Sequence, residues 1–249
     1  MQNMKLGLQL YNFRKELTAD FKGTMRKIAG LGFDGVEFAG NYGEIPPEEL
    51  ALFLKELGLK CAGTMFQAED ILNPDSNVFA YAKALNSPAV TISRSGDFVK
   101  EYDRVLELCR RLGDAAAAQN AVFSYHNHWA EFALKEGVPV MNLLLQATDP
   151  AKVLLELDVC WLTRGGLKPA EYIAKFGSRI RQIHMKDIVV PEDPNTTIEL
   201  GRGIIDLKGA YEAAKKSSCQ WLIYEQDNTK LSAFESAKIS VEYLKELTK

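Results

Sequence analysis

The chain has 249 residues, enough for one (β/α)8 barrel or two small domains. Its 47% hydrophobic and 25% charged content is that of an ordinary globular protein without low-complexity tracts. Thirty Lys and Arg against 33 Asp and Glu leave a net charge of -3 with no basic run. That excludes the electrostatic footprint of a nucleic-acid or anionic-membrane partner and points to a small ligand.

No apolar stretch approaches the roughly 18 residues of a membrane span. The start shows no signal-peptide-like apolar region and runs into a strand at Lys5, so a cytoplasmic location is expected unless a leader has been lost. Cys61, Cys109, Cys160 and Cys219 are far apart and form no Cys-x-x-Cys, which predicts reduced, buried thiols. A homo-oligomer is compatible with all of this.

In chain order, Leu6 to Tyr11 alternates as a strand does, and Phe21 to Leu31 carries apolar residues at helical spacing. Gly35 to Phe38 is a short strand. Pro46 and Pro47 open a helix through Leu57, with Glu48 and Glu49 in the first turn, where the macrodipole favours them. Lys60 to Met65, Ala89 to Ser93 and the run from Val122 are strands, separated by helices at Asn77 to Leu85 and Tyr102 to Gln119. The second half repeats the pattern: helix Val140 to Ala147, strand Val153 to Asp158, helix Pro169 to Phe176, strand Arg179 to Asp187. Helix Leu207 to Lys216, strand Trp221 to Asp227 and helix Ser232 to Leu247 complete it.

Eight strands alternating with eight helices, with no linker-like break, predict an α/β chain forming a single TIM barrel domain over residues 1–249. The one long irregular stretch, Ile188 to Asp206, follows strand seven, and loops of that length are usually functional.

In such barrels the chemistry lies at the C-terminal ends of the strands. These ends carry Gln9 and Tyr11, then Glu37, Ser93, His126 and His128, Glu156 and Asp158, His184 and Lys186, and finally Glu225 and Asp227. Residues two apart in a strand share a face, so each pair is expected to enter the barrel mouth together. Several carboxylates buried together need a cation to neutralise them. His126, Asp158, His184 and Glu225 form a mixed nitrogen and oxygen set suited to Mn2+, Zn2+, Fe2+ or Co2+, with His128 able to replace His126.

Gly7-Leu-Gln-Leu-Tyr11, Leu31-Gly-Phe-Asp-Gly-Val-Glu37, Tyr125-His-Asn-His128 with Glu131-Phe132, Leu157-Asp158 and His184-Met-Lys-Asp187 together resemble the xylose-isomerase-like sugar phosphate isomerase and epimerase superfamily. Gly201-Arg-Gly203 with Asp206 and Glu225-Gln-Asp227 extend the match to strand eight. The resemblance implies metal ligands from strands five to eight, which here are His126, Asp158, His184 and Glu225. Three departures stand out. His126 occupies the strand-five position where keto-sugar epimerases carry glutamate, as in inosose-dehydratase-like relatives with their histidine-rich sequence. Met65 replaces a histidine at the end of strand three, and Cys160 and Trp161 follow Asp158 where many members place a histidine.

The expected activity is metal-dependent proton abstraction beside the carbonyl of a keto or aldo sugar or cyclic polyol. The outcome is isomerisation or epimerisation if the proton returns, and dehydration if a β-hydroxyl leaves. Candidate bases are Glu225, Lys186 and His128, with burial and the metal lowering the Lys186 pKa. Gln9, Tyr11, Glu37, Asn127 and Asp227 are candidates for substrate contacts. Trp129 and Trp161 would stack on a sugar ring, and Arg202 would meet a hydroxyl or phosphate. Two other readings compete: an endonuclease of abasic DNA, against which three histidines and the negative net charge argue, and a sugar-binding barrel with a decayed site, suggested by Met65 and Cys160.

Overall fold

A computed structural model describes residues 4–94 and 96–249. Eight parallel strands close on themselves: β1 Lys5–Gln9, β2 Gly35–Ala39, β3 Lys60–Met65, β4 Val90–Ser93, β5 Phe123–His126, β6 Val153–Asp158, β7 Ile180–Met185 and β8 Trp221–Tyr224. Each pairs with its sequence neighbours, and β1 pairs with β8 (Lys5 opposite Trp221, Leu8 opposite Tyr224) to shut the barrel. Helices follow the strands, the longest being Tyr102–Ala118 and Ala233–Leu247. The latter starts at a reciprocal cap in which Ser232 and Glu235 satisfy each other's backbone amides.

The sequence expectation of a (β/α)8 barrel holds. Three short helices, Arg14–Ala19, Ala68–Leu72 and Val159–Arg164, add to the eight expected. Strands one, five, seven and eight end earlier than their sequence suggests, because the chain turns into loops or helical turns as soon as it reaches the mouth. Tyr11 lies in a 3-10 turn, and His128, Lys186 and Glu225 lie just past their strands.

Inside the barrel, Ala62, Trp221 and Ile223 form a small apolar layer separate from the main core between strands and helices. Gly35 makes it possible: a Cβ there would lie 2.8 Å from Trp221 and 2.4 Å from the Lys60 carbonyl oxygen, so only glycine lets the indole plug the barrel floor. Above this layer the interior turns polar. Register shifts occur beside Glu37 in the β2–β3 pairing and beside Glu156 in β6–β7, re-aiming two carboxylates at the barrel axis.

The segment after β7 is fastened rather than loose. Asp187 Oδ1 accepts the amides of Ile188 and Ile205, and Oδ2 those of Gly201 and Gly203. Asp187–Ile188 also pairs with Thr197–Ile198. All four cysteines are buried free thiols, as expected. No helix among the described residues is long and apolar enough to cross a membrane.

Candidate active site at the barrel mouth

His184, on the inward face of β7, is the hub. Its Nε2 lies 2.6 Å from Glu37 Oε2 and 3.2 Å from Glu156 Oε1, and its Nδ1 lies 2.9 Å from Glu225 Oε2. Flanked by acceptors on both nitrogens, the imidazole is held well above its ordinary pKa by Glu37, Glu156 and Glu225, although burial opposes the charge. His126 Nδ1 shares Glu156 Oε1 at 3.1 Å, so Glu156 ties two histidines together.

Burial and the neighbouring Glu156 push Glu37 well above the carboxylate range. Glu156, equally buried, is pulled below it by the histidines. Gln9 Nε2 donates to Glu37 Oε2 at 2.8 Å, and Gln182 Nε2 to Glu37 Oε1 at 3.2 Å, fixing this carboxylate from two sides.

Lys186 is only 1% exposed. Its Nζ lies 3.2 Å from Asp158 Oδ2, 2.8 Å from Glu225 Oε2 and 2.9 Å from Asp227 Oδ2, and 4.5 Å over the Trp161 ring. The sequence suggested a lowered pKa, and the geometry corrects this. Burial does oppose the ammonium, but Asp158, Asp227 and Glu225 outweigh it and hold the lysine charged. It does not pair with Asp187, the next residue, whose carboxylate is engaged by backbone amides.

Asp158 caps the helix that follows it, with Oδ1 accepting the Trp161 amide at 2.9 Å. Its Oδ2 is enclosed yet accepts no hydrogen bond, because Lys186 is near but not along a hydrogen-bonding direction. His126, Asp158, His184 and Glu225 each offer one donor atom, and these four atoms lie within 4.8 Å of one another. Two imidazole nitrogens and two carboxylate oxygens fit a borderline divalent cation. If His184 Nδ1 and the Asp158, Glu225 and His126 atoms met such an ion, Nε2–H would still donate to Glu37, the outer contact that metal-bound histidines usually keep.

The mouth opens as a cavity of about 550 Å³ lined by Gln9, Tyr11, His126, His128, Lys186, Glu225 and Asp227, among others. His128 faces it as a neutral imidazole, since burial, with the Lys186 ammonium close by, lowers its pKa to about 3. Other expected residues are placed differently. Asn127 Oδ1 accepts the Asp158 amide and its Nδ2 donates to the Asp158 carbonyl, so it stitches β5 to β6 instead of facing the cavity. Trp161 is buried and reaches Lys186, while Trp129 sits at the rim beneath the Arg164 guanidinium, 3.8 Å from its ring centre. Arg202 is not brought here: it pairs with Glu199 at 3.2 Å over a separate groove beside the 188–206 segment. Gln182, not singled out from the sequence, belongs to the site, as does Glu156, which was read there only as the strand-end partner of Asp158. Glu-x-Asp and Gln-x-His spacing on strands was the available signal.

The model of the xylose isomerase-like TIM barrel family matches residues 25–247. An inosose dehydratase of Lacticaseibacillus casei is 25% identical, over 92% of this chain and 90% of its own length. Among solved structures, a sugar phosphate isomerase/epimerase from Parabacteroides distasonis superposes with a TM-score of 0.82 at 20% identity, covering 100% of this chain and 96% of that one. A 3-keto-D-glucoside 4-epimerase from E. coli superposes with a TM-score of 0.75 at 15% identity, covering 98% and 99%. The barrel, its polar mouth and the family match over most of the sequence agree, and the chain belongs to the xylose isomerase-like TIM barrel family.

Proposed function

We propose that this protein is a metal-dependent enzyme that moves a proton at the carbon beside a carbonyl of a sugar or cyclic polyol. The observation that carries the reading is the convergence of His126, Asp158, His184 and Glu225 from four consecutive strands, with one donor atom of each within 4.8 Å of the others. A divalent cation bound there supplies Lewis-acid polarisation of the carbonyl and charge stabilisation of the enediolate.

The protein's own groups do the rest. Glu37, held by Gln9 and Gln182, orients His184. Lys186 presents a cation to an anionic oxygen, while Asp227 and Glu225 hold it in place. Glu225 and His128, both lining the cavity, stand where a proton could be taken or returned.

A second reading, dehydration, rests on an equally specific observation. His128, just past β5, and Glu225, just past β8, both line the cavity, so the groups placed to move a proton are unlike. Unlike groups suit abstraction by one and protonation of a departing β-hydroxyl by another better than a symmetric exchange between two carboxylates. The inosose dehydratase names of relatives at 22–25% identity favour it too.

One experiment tests both. Purified protein is analysed for bound metal, then incubated in D2O with a panel of keto sugars and inososes. Deuterium beside the carbonyl is expected in recovered substrate or product, and its absence from every compound with metal-replete protein would sink the proposal.

A further inference from the structure

A second cavity lies at the opposite end of the barrel, below the Trp221 plug. It measures about 750 Å³ and is lined by strand N-termini and the turns that lead into them. Lys5 from β1, Lys60 from β3, Arg181 from β7 and Lys55 from the helix Pro47–Glu56 all border it, and no Asp or Glu does. In a chain with 33 acids against 30 bases, four cations around one concavity without a single acid is a local reversal of sign.

None of the four has a carboxylate within ion-pairing distance among the described residues, and Arg181 Nε is enclosed and donates to no acceptor. Lys5 Nζ leans over the Trp221 ring at 5.1 Å. Like charges gathered from four separate elements repel one another, and no carboxylate among the described residues pairs with them. An enclosed guanidinium N–H without a partner is likewise a group that a bound acceptor would satisfy.

We propose that this floor cavity binds a polyphosphate-bearing small molecule, with Arg181 and Lys60 as its principal contacts and Lys5 and Lys55 as the charged rim. Its volume is that of a metabolite site. Trp221 is buried and closed over by Lys5, so it offers no face for stacking a base, and recognition rests on the phosphates. The site is independent of the chemistry at the mouth.

The test is isothermal titration of the full chain with pyrophosphate, ATP and AMP in about 0.15 M NaCl, paired with thermal unfolding. Pyrophosphate and ATP should bind saturably and raise the midpoint of unfolding, with AMP at least tenfold weaker, and binding should weaken as salt rises. Lys60→Gln with Arg181→Gln should weaken ATP at least tenfold. Lys5→Gln with Lys60→Gln, confined to exposed side chains, should weaken it in the same direction even if the first pair fails to fold. Glu225→Gln at the mouth should leave the titration unchanged. The proposal is overturned by an absence of saturable binding beyond that of NaCl at equal ionic strength, or by equal affinity in the neutralised variants. Loss of binding in Glu225→Gln, AMP matching ATP, or a single-stranded oligonucleotide binding more tightly than ATP would overturn it as well.

Discussion

His184 and Glu37 meet across the barrel at 2.6 Å, a contact between β7 and β2 that no water reaches because both side chains are fully enclosed. It makes Glu37 a positioning residue where the sequence suggested a substrate contact. Glu37→Gln should therefore lower divalent-metal affinity about 10- to 100-fold, the usual scale for losing the outer partner of a ligating histidine. Metal titration of apo protein checks this, and unchanged affinity would show that His184 needs no such support.

His126 and His128 are separable by the same measurement. Only His126 belongs to the four-atom cluster, whereas His128 faces the cavity beyond it. His126→Ala should lose metal at least tenfold. His128→Ala should keep metal and lose turnover by about 10²-fold, the scale of general acid-base catalysis. The reverse pattern would exchange their roles.

For Lys186 the structure alters the expectation that sequence alone would set. Removing a rim lysine costs little, but Lys186 compensates three carboxylates at full burial. Lys186→Met should destabilise the metal-free protein by about 3 to 5 kcal/mol, as breaking a buried ion pair does. Turnover should also fall by about 10²-fold or more. Thermal unfolding in the presence of chelator reads the first effect, and stability equal to wild type would show that the carboxylates find other compensation.

Glu131 sets a pH dependence away from the ligand cluster. It is wholly buried, with Tyr125 donating to Oε1 at 3.3 Å and nothing donating to Oε2. Burial raises its pKa from 4.5 to about 7. Between these values Glu131 holds a proton in the folded chain that the unfolded chain has released, so its own contribution to stability falls as pH rises from about 4.5 to 7, while that of His128, whose pKa is lowered to about 3, rises up to about pH 6.5. The loss is on the order of 3 kcal/mol by linkage. Glu131→Gln removes this contribution, so the stability of the variant should rise more steeply with pH than that of wild type over this span, and denaturant unfolding at several pH values would detect it. A variant with the wild-type slope would place the titration elsewhere.

Much of this was legible in the sequence, for a physical reason. Barrel strands are short and their inward positions alternate, so polar residues at strand ends can be assigned to one mouth from spacing alone. His184 with Lys186, and Glu225 with Asp227, were read this way and are found together. What spacing could not supply was the third dimension. Asn127 looked like a ligand for substrate hydroxyls, but its side chain matches the backbone of β6. Arg202 lies in a loop whose path no periodicity encodes, and that path carries it to Glu199. The charge state of Lys186 depended on how many carboxylates would converge on it, which a list of strand ends does not count.

Asp187 gives the segment from 188 to 206 a fixed shape. With four amides drawn onto one carboxylate, and Gly203 so close that a Cβ would fall 2.2 Å from its Oδ1, the segment is a wall and not a door. A wall stands whether or not a guest is inside. Traffic through the mouth need not wait for this stretch to swing, and amide exchange at Gly201, Gly203 and Ile205 should be slow with the chamber empty or filled. Changes of sequence along its outer edge, around Asn195 and Arg202, can then accumulate without disturbing the mouth where His184 and Lys186 stand.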